Sequence, residues 1–439
     1  MRPNFRIYIL LFGCFSILAG GQKVCLAQAS DQSNGVSVTL TPASFTIGIG
    51  ANQQLKATVS GATNQGVTWT VNGVANGNAT YGTVDLATQL YFAPAALPNP
   101  VSYIITATSK ADKTKSASAT VTVLSADPLG TVSNVKSIAC PGGGISGASC
   151  QQMTISCESV ANWNAYVKIN TPTGISNGVV MYGVGAGGGG LYDTAFTFGQ
   201  TAVQNVLNAG FTTVQVSFGM PFTKTEPSGW MTGPGGIRRL ACRYATVAQW
   251  VYSNVLNNVN KPLCATGNSG GGAAIAYALS NYGLDGIFSM VEVTSGPALA
   301  RMDYGCMCNQ GSASTACGNG QLRYCYGTAT AKMLDIVYAK PLCSNAVNGH
   351  PSPIASTLFF SDSIDSPSGV LAFTKTYVNN IYGGLDTSSA VPEGLLWYDQ
   401  ISSQKAQACV ADAPHPIADV EDGAIQIAND IISLCKLQP

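Results

Sequence analysis

The cysteines of this 439-residue chain fall almost entirely on one side of it. After Cys14 and Cys25 there is none before Cys140, and then come Cys140, Cys150, Cys157, Cys242, Cys264, Cys306, Cys308, Cys317, Cys325, Cys343, Cys409 and Cys435. A chain with one long stretch that cannot be cross-linked and another dense in cross-linking residues must stabilise the two in different ways. Two regions are therefore expected, meeting before residue 140. The first 29 residues read as a secretory signal: Arg2 and Arg6, an apolar run from Ile7 to Ala19, and the small-residue exit Ala27-Gln28-Ala29. That run is shorter than the ~20 residues of a spanning helix, so no stable membrane span is expected, with an uncleaved anchor as the alternative. Cleavage near Ala29 discards Cys14 and Cys25, leaving an even set in an exported, extracellular or periplasmic protein. Disulfides are then the natural use for them. A zinc site around Cys306-Met307-Cys308, Cys317 and Cys325 is the rival use, but the spacing is not C-x2-C and no histidine is near, so no metal is expected.

Charge excludes further classes. Lys plus Arg and Asp plus Glu number 21 each, and charged residues make up only 10% of the chain. That is far below the ~25% of ordinary domains, and a neutral chain of this kind is unsuited to gripping a polyanion. Nucleic-acid partners are not expected.

From Val36 to Val123 apolar and polar residues alternate in short runs broken by glycine and asparagine, as in Val67-Thr-Trp-Thr-Val and Ala119-Thr-Val-Thr-Val. Period two with frequent turn signals predicts a small all-β sandwich over 30–124, with Trp69 in its core and Tyr81 and Tyr91 as core aromatics. The segment Thr68-Trp69-Thr70-Val71-Asn72-Gly73 resembles the bacterial Ig-like repeats of exported proteins. That resemblance implies a module for cell-surface or polysaccharide contact. Residues 125–139 carry no clear period and read as a linker.

Over 140–439 the pattern becomes apolar strands alternating with helix-length segments, the signature of an α/β fold with a mostly parallel sheet. Strands are predicted at Tyr166–Ile169, Gly178–Tyr182, Thr213–Phe218, Leu263–Thr266, Phe288–Val293, Thr357–Phe360 and Leu395–Tyr398. Helices are predicted at Thr194–Asn208, Cys242–Val255, Gly271–Ser280 and around Ile425–Cys435. The stretch 297–347 holds five cysteines and little period, and is expected to be an insertion that walls the site or decorates the domain.

Gly267-Asn268-Ser269-Gly270-Gly271 is a G-x-S-x-G sequence between the apolar segment Pro262-Leu-Cys-Ala-Thr and the helix-forming Gly272-Ala-Ala-Ile-Ala-Tyr-Ala-Leu. A sharp strand-to-helix turn at that place would raise the Ser269 hydroxyl above the sheet as a nucleophile. A serine nucleophile needs a base, and the chain has only two histidines, His350 and His415. His415, in Ala413-Pro414-His415-Pro416 before the terminal helix, is the expected base; His350 reads as a loop residue. The third member should be a carboxylate in a loop after a strand, lying between serine and histidine in chain order. Thr357-Leu-Phe-Phe-Ser-Asp362-Ser-Ile-Asp365 points to Asp365 as the acid that orients His415, with Asp362 as the alternative and Asp303 and Asp412 behind them. The backbone N–H of Gly270, with Gly183 and Val184 at the end of Gly178-Val-Val-Met-Tyr-Gly, is expected to form the oxyanion hole. The same loop matches G-x-G-x-x-G from Gly185 to Gly190. No acidic residue follows the next strand near Ser217, so a dinucleotide is not expected and no cofactor is required.

Together these residues resemble the α/β-hydrolase superfamily, in particular its secreted esterase-like members, over about Cys157 to Cys435. The resemblance implies cleavage of a small-molecule or polymeric carboxylic ester through an acyl-enzyme. Alternatives are a polymer-targeted depolymerase or a polysaccharide or aromatic esterase that attaches through the N-terminal module, and a non-catalytic surface-binding protein. Tannase and feruloyl esterase relatives set cysteines directly beside the catalytic Ser and His. Here Cys264 and Cys409 stand further off, and a disulfide between them would join the nucleophile strand to the histidine loop.

Overall fold

A computed structural model describes residues 35–222, 229–314, 317 and 321–437; the expected signal sequence over 1–29 lies outside them. Residues 37–124 are all β, as their alternation requires. Ser44–Gly48, Ser116–Leu124, Ser102–Ser109, Val67–Val71 and Val74–Ala75 form a five-stranded sheet. A four-stranded sheet of Asn52–Gln54, Leu90–Phe92, Gly82–Val84 and Gly77–Asn78 and the pair Ser37–Thr41 with Lys56–Ser60 complete the region. Inward-facing Phe45, Trp69, Tyr91, Ile105 and Val121 make one core, so Trp69 and Tyr91 take the places their spacing predicts. The buried Tyr91 and Tyr103 hydroxyls meet at 2.6 Å, one donating to the other, and both lie 2.8 Å from the Tyr81 carbonyl.

The second region is built on one nine-stranded sheet. Its strands are β1 (Thr131–Ile138), β2 (Ser149–Ser156), β3 (Trp163–Asn170), β4 (Val179–Gly183), β5 (Thr212–Phe218), β6 (Leu263–Asn268), β7 (Met290–Thr294), β8 (Tyr377–Gly383) and β9 (Lys405–Val410). Their spatial order is β1-β2-β3-β5-β4-β6-β7-β8-β9. The first three run antiparallel to their neighbours and the other six are mutually parallel. Connecting helices include α1 (Gly199–Asn208), α2 (Cys242–Val251), α3 (Gly270–Ser280), α4 (Ala355–Asp362), α5 (Ala390–Gln400) and α6 (Glu421–Leu434). Two apolar clusters pack on the sheet. One contains α2 and α3; the other contains α1 and α6, through residues such as Val203, Val206, Ile427 and Ile431. A mixed, mostly parallel sheet with helices on both faces and a G-x-S-x-G turn after a central strand is the α/β-hydrolase fold. Among the described residues no helix is long and apolar enough to cross a membrane.

Three expectations about local structure are corrected. The interval 125–139 is not merely a linker, because Thr131–Ile138 forms the edge strand β1. Its residues are largely exposed, which erases the period that would reveal it. Thr357–Phe360 lies in helix α4 and Leu395–Tyr398 in helix α5, not in strands. A short apolar run fits a buried helix turn as well as a strand, and length alone does not separate them here.

Six disulfides join all twelve cysteines after residue 139. Cys264 pairs with Cys435, tying β6 to the end of α6, and Cys409 pairs with Cys317 of the 297–347 insertion, so the direct Cys264–Cys409 bridge is not formed. The two regions are locked by buried polar contacts. Arg238 donates to Asp127 at 2.5 and 3.2 Å and to the Ile49 carbonyl at 2.9 Å, while Asn52 Nδ2 donates to Asp362 Oδ1 at 2.6 Å. Removing one member of a buried pair such as Arg238 and Asp127 leaves an uncompensated charge, a cost of about 3–5 kcal/mol.

Candidate active site

The parallel strands bring their C-terminal ends to one edge of the sheet, where α/β folds gather their functional loops. Ser269 stands there, between β6 and α3, with φ 53° and ψ −112°. A non-glycine residue rarely holds this conformation and does so at a cost in strain. Its neighbours explain why it can. A Cβ on Gly270 would fall 1.9 Å from the Ala186 carbonyl oxygen, and one on Gly271 would meet the carbonyls of Gly183 and Val184 at 2.8 Å. The glycines of the motif are thus required by the close approach of the loop after β4. The Ser269 N–H donates to the Thr294 carbonyl at 2.8 Å, and its carbonyl accepts from Ala273 at 2.9 Å, which fixes the turn to β7 and to its own helix.

The loop expected to supply oxyanion donors lies directly against this turn. Gly183 is still in the sheet as the last residue of β4, in register with Val216 and Gly267. Val184 is buried, and a Cβ on Gly185 would stand 3.8 Å from that of Ser269. Gly270 opens α3, so its amide belongs to the helix end whose partial positive charge favours an anion.

His415 follows β9 and precedes a short turn at Ile417–Asp419 and then α6. Its Nδ1 lies 2.8 Å from Asp386 Oδ2 and 3.0 Å from Ser388 Oγ. The Asp386 side chain is fully buried while that of His415 remains one-third exposed. Burial alone would push the Asp386 carboxyl up. The hydrogen bond and charge of His415 and the backbone and hydroxyl of Ser388 outweigh it and hold the group below the usual carboxylate range. Asp386 is reached through β8. Gly384 N–H donates to the Val410 carbonyl at 2.8 Å and Leu385 N–H to the Ala413 carbonyl at 3.0 Å, so the loops carrying Asp386 and His415 are stitched to each other. The Cys317–Cys409 bridge sits at the foot of this seam, with Cys317 Sγ 3.2 Å from the Tyr382 carbonyl.

The carboxylate beside His415 is therefore neither Asp365 nor Asp362. Asp365 follows α4, a helix and not a strand, and is buried with neither oxygen hydrogen-bonded. Burial raises it to about 7, with Arg301 pulling it down and Asp303 pushing it up. Asp362 accepts from Asn52 at 2.6 Å and from the Tyr338 hydroxyl at 2.8 Å, which makes it part of the inter-region lock. Asp303 pairs with Arg301 at 2.7 Å, and Asp412 and His350 are exposed.

A residue that motif reading overlooks is Asn268, just before the serine. Its Oδ1 accepts from Thr294 Oγ1 at 3.0 Å and from the Ile417 N–H at 3.3 Å. One carboxamide thus ties the end of β6 to β7 and to the segment that follows His415. Among the described residues no group of three or more His, Cys, Asp or Glu is arranged to hold a metal ion.

No protein-family model matches the chain, and no curated protein does. Solved structures similar to it include acetyl xylan esterase 1 from Thermoanaerobacterium sp. JW/SL YS485, at 15% identity over 70% of this chain and 88% of that one, with a TM-score of 0.45. The acetyl xylan esterase from Paenibacillus sp. R4 is 12% identical over 70% and 89% of the two chains, TM-score 0.44. Est1E from Butyrivibrio proteoclasticus is 10% identical over 64% and 98%, TM-score 0.40.

Proposed function

We propose that the protein is an exported serine hydrolase that cleaves carboxylic esters, with Ser269 as nucleophile, His415 as general base and acid, and Asp386 as the group that orients His415. The observation that carries this reading is the buried Asp386 carboxylate on His415 Nδ1, on the same edge of the sheet as the strained turn of Ser269. An ionised Asp386 keeps the single ring proton on Nδ1 and leaves the Nε2 lone pair free for the serine. Ser269 Oγ attacks the ester carbonyl carbon as Nε2 takes its proton. The carbonyl electrons move onto oxygen, where the Gly270 N–H and the loop after Gly183 and Val184 stabilise them. As the tetrahedral intermediate collapses, the carbon–alkoxide bond breaks, the alcohol leaves with the proton from Nε2, and Ser269 is acylated. Water repeats the sequence and releases the acid. No metal or organic cofactor enters these steps. Export is supported by the six disulfides, which persist in oxidising compartments.

The test of the hydrolase reading is labelling of the signal-free, disulfide-bonded protein with a fluorophosphonate, the adduct being located by mass spectrometry. Stoichiometric modification of Ser269, abolished by Ser269→Ala and by His415→Ala, is the expected result. Well-folded wild type that takes up no label would instead favour a non-catalytic binding protein.

A further inference from the structure

The imidazole of His415 has two neighbours on the same nitrogen, and the mechanism above uses only one. We propose that Ser388 is a positioning residue for His415, a second acceptor on Nδ1 that restrains the ring beside Asp386; this rests on the triad reading. Nδ1 carries a single hydrogen. Asp386 Oδ2 at 2.8 Å takes the shorter contact, and Ser388 Oγ at 3.0 Å shares the same hydrogen in a three-centre bond. The two groups do different work. A carboxylate accepts but does not donate, so it selects the tautomer with the proton on Nδ1. A hydroxyl accepts from Nδ1–H or donates to a bare Nδ1, so Ser388 does not choose the tautomer but fixes where the ring points.

Ser388 is itself held without its side chain. Its N–H donates to Asp386 Oδ1 at 2.8 Å, and its carbonyl accepts from Val391 at 3.3 Å at the entry to α5. The residue therefore acts on both members of the couple, on the carboxylate through its backbone N–H and its hydroxyl and on the imidazole through the hydroxyl. Because the backbone contacts survive truncation, Ser388→Ala removes the hydroxyl alone. With one-third of the His415 side chain exposed, an unrestrained ring has room to turn away from the serine.

The experiment is steady-state ester hydrolysis by the full disulfide-bonded protein carrying Ser388→Ala, Ser388→Gly or Ser388→Thr, alone and with Asp386→Ala. Loss of one neutral acceptor predicts a kcat lower by about 3–10-fold in the Ala and Gly variants with KM unchanged, and recovery in Ser388→Thr, which keeps the hydroxyl. In the Asp386→Ala background the hydroxyl is the remaining acceptor, so its removal should cost a larger factor than in wild type. Wild-type kcat in both Ala and Gly variants overturns the proposal. So does a loss that Thr does not restore and that moves KM together with kcat, since that is the pattern of a structural role. The two readings fail separately. If fluorophosphonate modifies Ser269 in wild type while the Ser388 variants match it, only the role of Ser388 falls; if wild type is not modified, the triad falls and this role with it.

Discussion

Asp386 and Asp365 are both buried aspartates in loops that lead into the same sheet, and they are opposites electrically. Asp386, in the turn between β8 and α5, has an imidazole on one oxygen and a backbone N–H on the other, and is held below the ordinary carboxylate range. Asp365, in the loop between α4 and β8, has no hydrogen-bond partner on either oxygen and is raised to about 7. Burial acts on both in the same direction, so partners decide the outcome. Only the first is an anion ready to orient a histidine at neutral pH; the second is poised near neutrality and better described as a buried acid.

The sharpest way to break this contrast is to neutralise each carboxylate in turn. Asp386→Asn should lower kcat/KM for ester hydrolysis by about 10³–10⁴-fold, because an amide no longer enforces the Nδ1–H tautomer. Asp365→Asn should stay within about 3-fold of wild type, as expected of a residue outside the reacting groups. Comparable losses in the two variants would erase the distinction.

A smaller effect sharpens it through stability. The Asp365 carboxyl is raised in the folded protein from an ordinary value near 3.8 to about 7. Between those values the unfolded chain ionises while the folded one stays protonated. Its contribution to stability is therefore fully present below about pH 4, is lost progressively as pH rises to about 7, and is flat above that. Asp365→Asn removes this loss, so its melting temperature should exceed that of wild type by a few degrees at pH 8. At pH 4 the difference should shrink or vanish, and thermal unfolding at the two pH values checks it. A difference that grows towards acid would contradict the assignment.

The turn at Ser269 is legible in sequence because crowding forces glycine at Gly267, Gly270 and Gly271, and the pattern sits between a strand and a helix. The choice of histidine is narrow because the chain offers only two. The carboxylate beside His415 is not legible, and β8 shows why. Its centre is Asn379-Asn380, polar residues that interrupt the apolar run of a central strand. In the folded protein their amide Nδ2 groups are paired, that of Asn379 with Glu292 and Asp430 and that of Asn380 with the Gly296 carbonyl and the Tyr382 hydroxyl, while Asn380 Oδ1 stays without a partner. Glu292, Asp430 and Gly296 are distant in sequence, and no local pattern announces them. The apolar Thr357-Leu-Phe-Phe has a stronger strand pattern than β8 does, and it points to the carboxylates beside it. The edge strand β1 was hidden for the opposite reason, since exposure on both faces leaves no alternation to read.

The most direct measurement is proton NMR of protein labelled with ¹⁵N-histidine, in wild type, Asp386→Ala and Asp365→Asn. With two histidines in the chain, His350→Ala assigns every remaining imidazole signal to His415. A strongly deshielded Nδ1–H resonance in wild type that persists in Asp365→Asn and moves far upfield in Asp386→Ala is the result predicted. A resonance untouched by Asp386→Ala and lost in Asp365→Asn would contradict the central claim, that Asp386 is the carboxylate of His415.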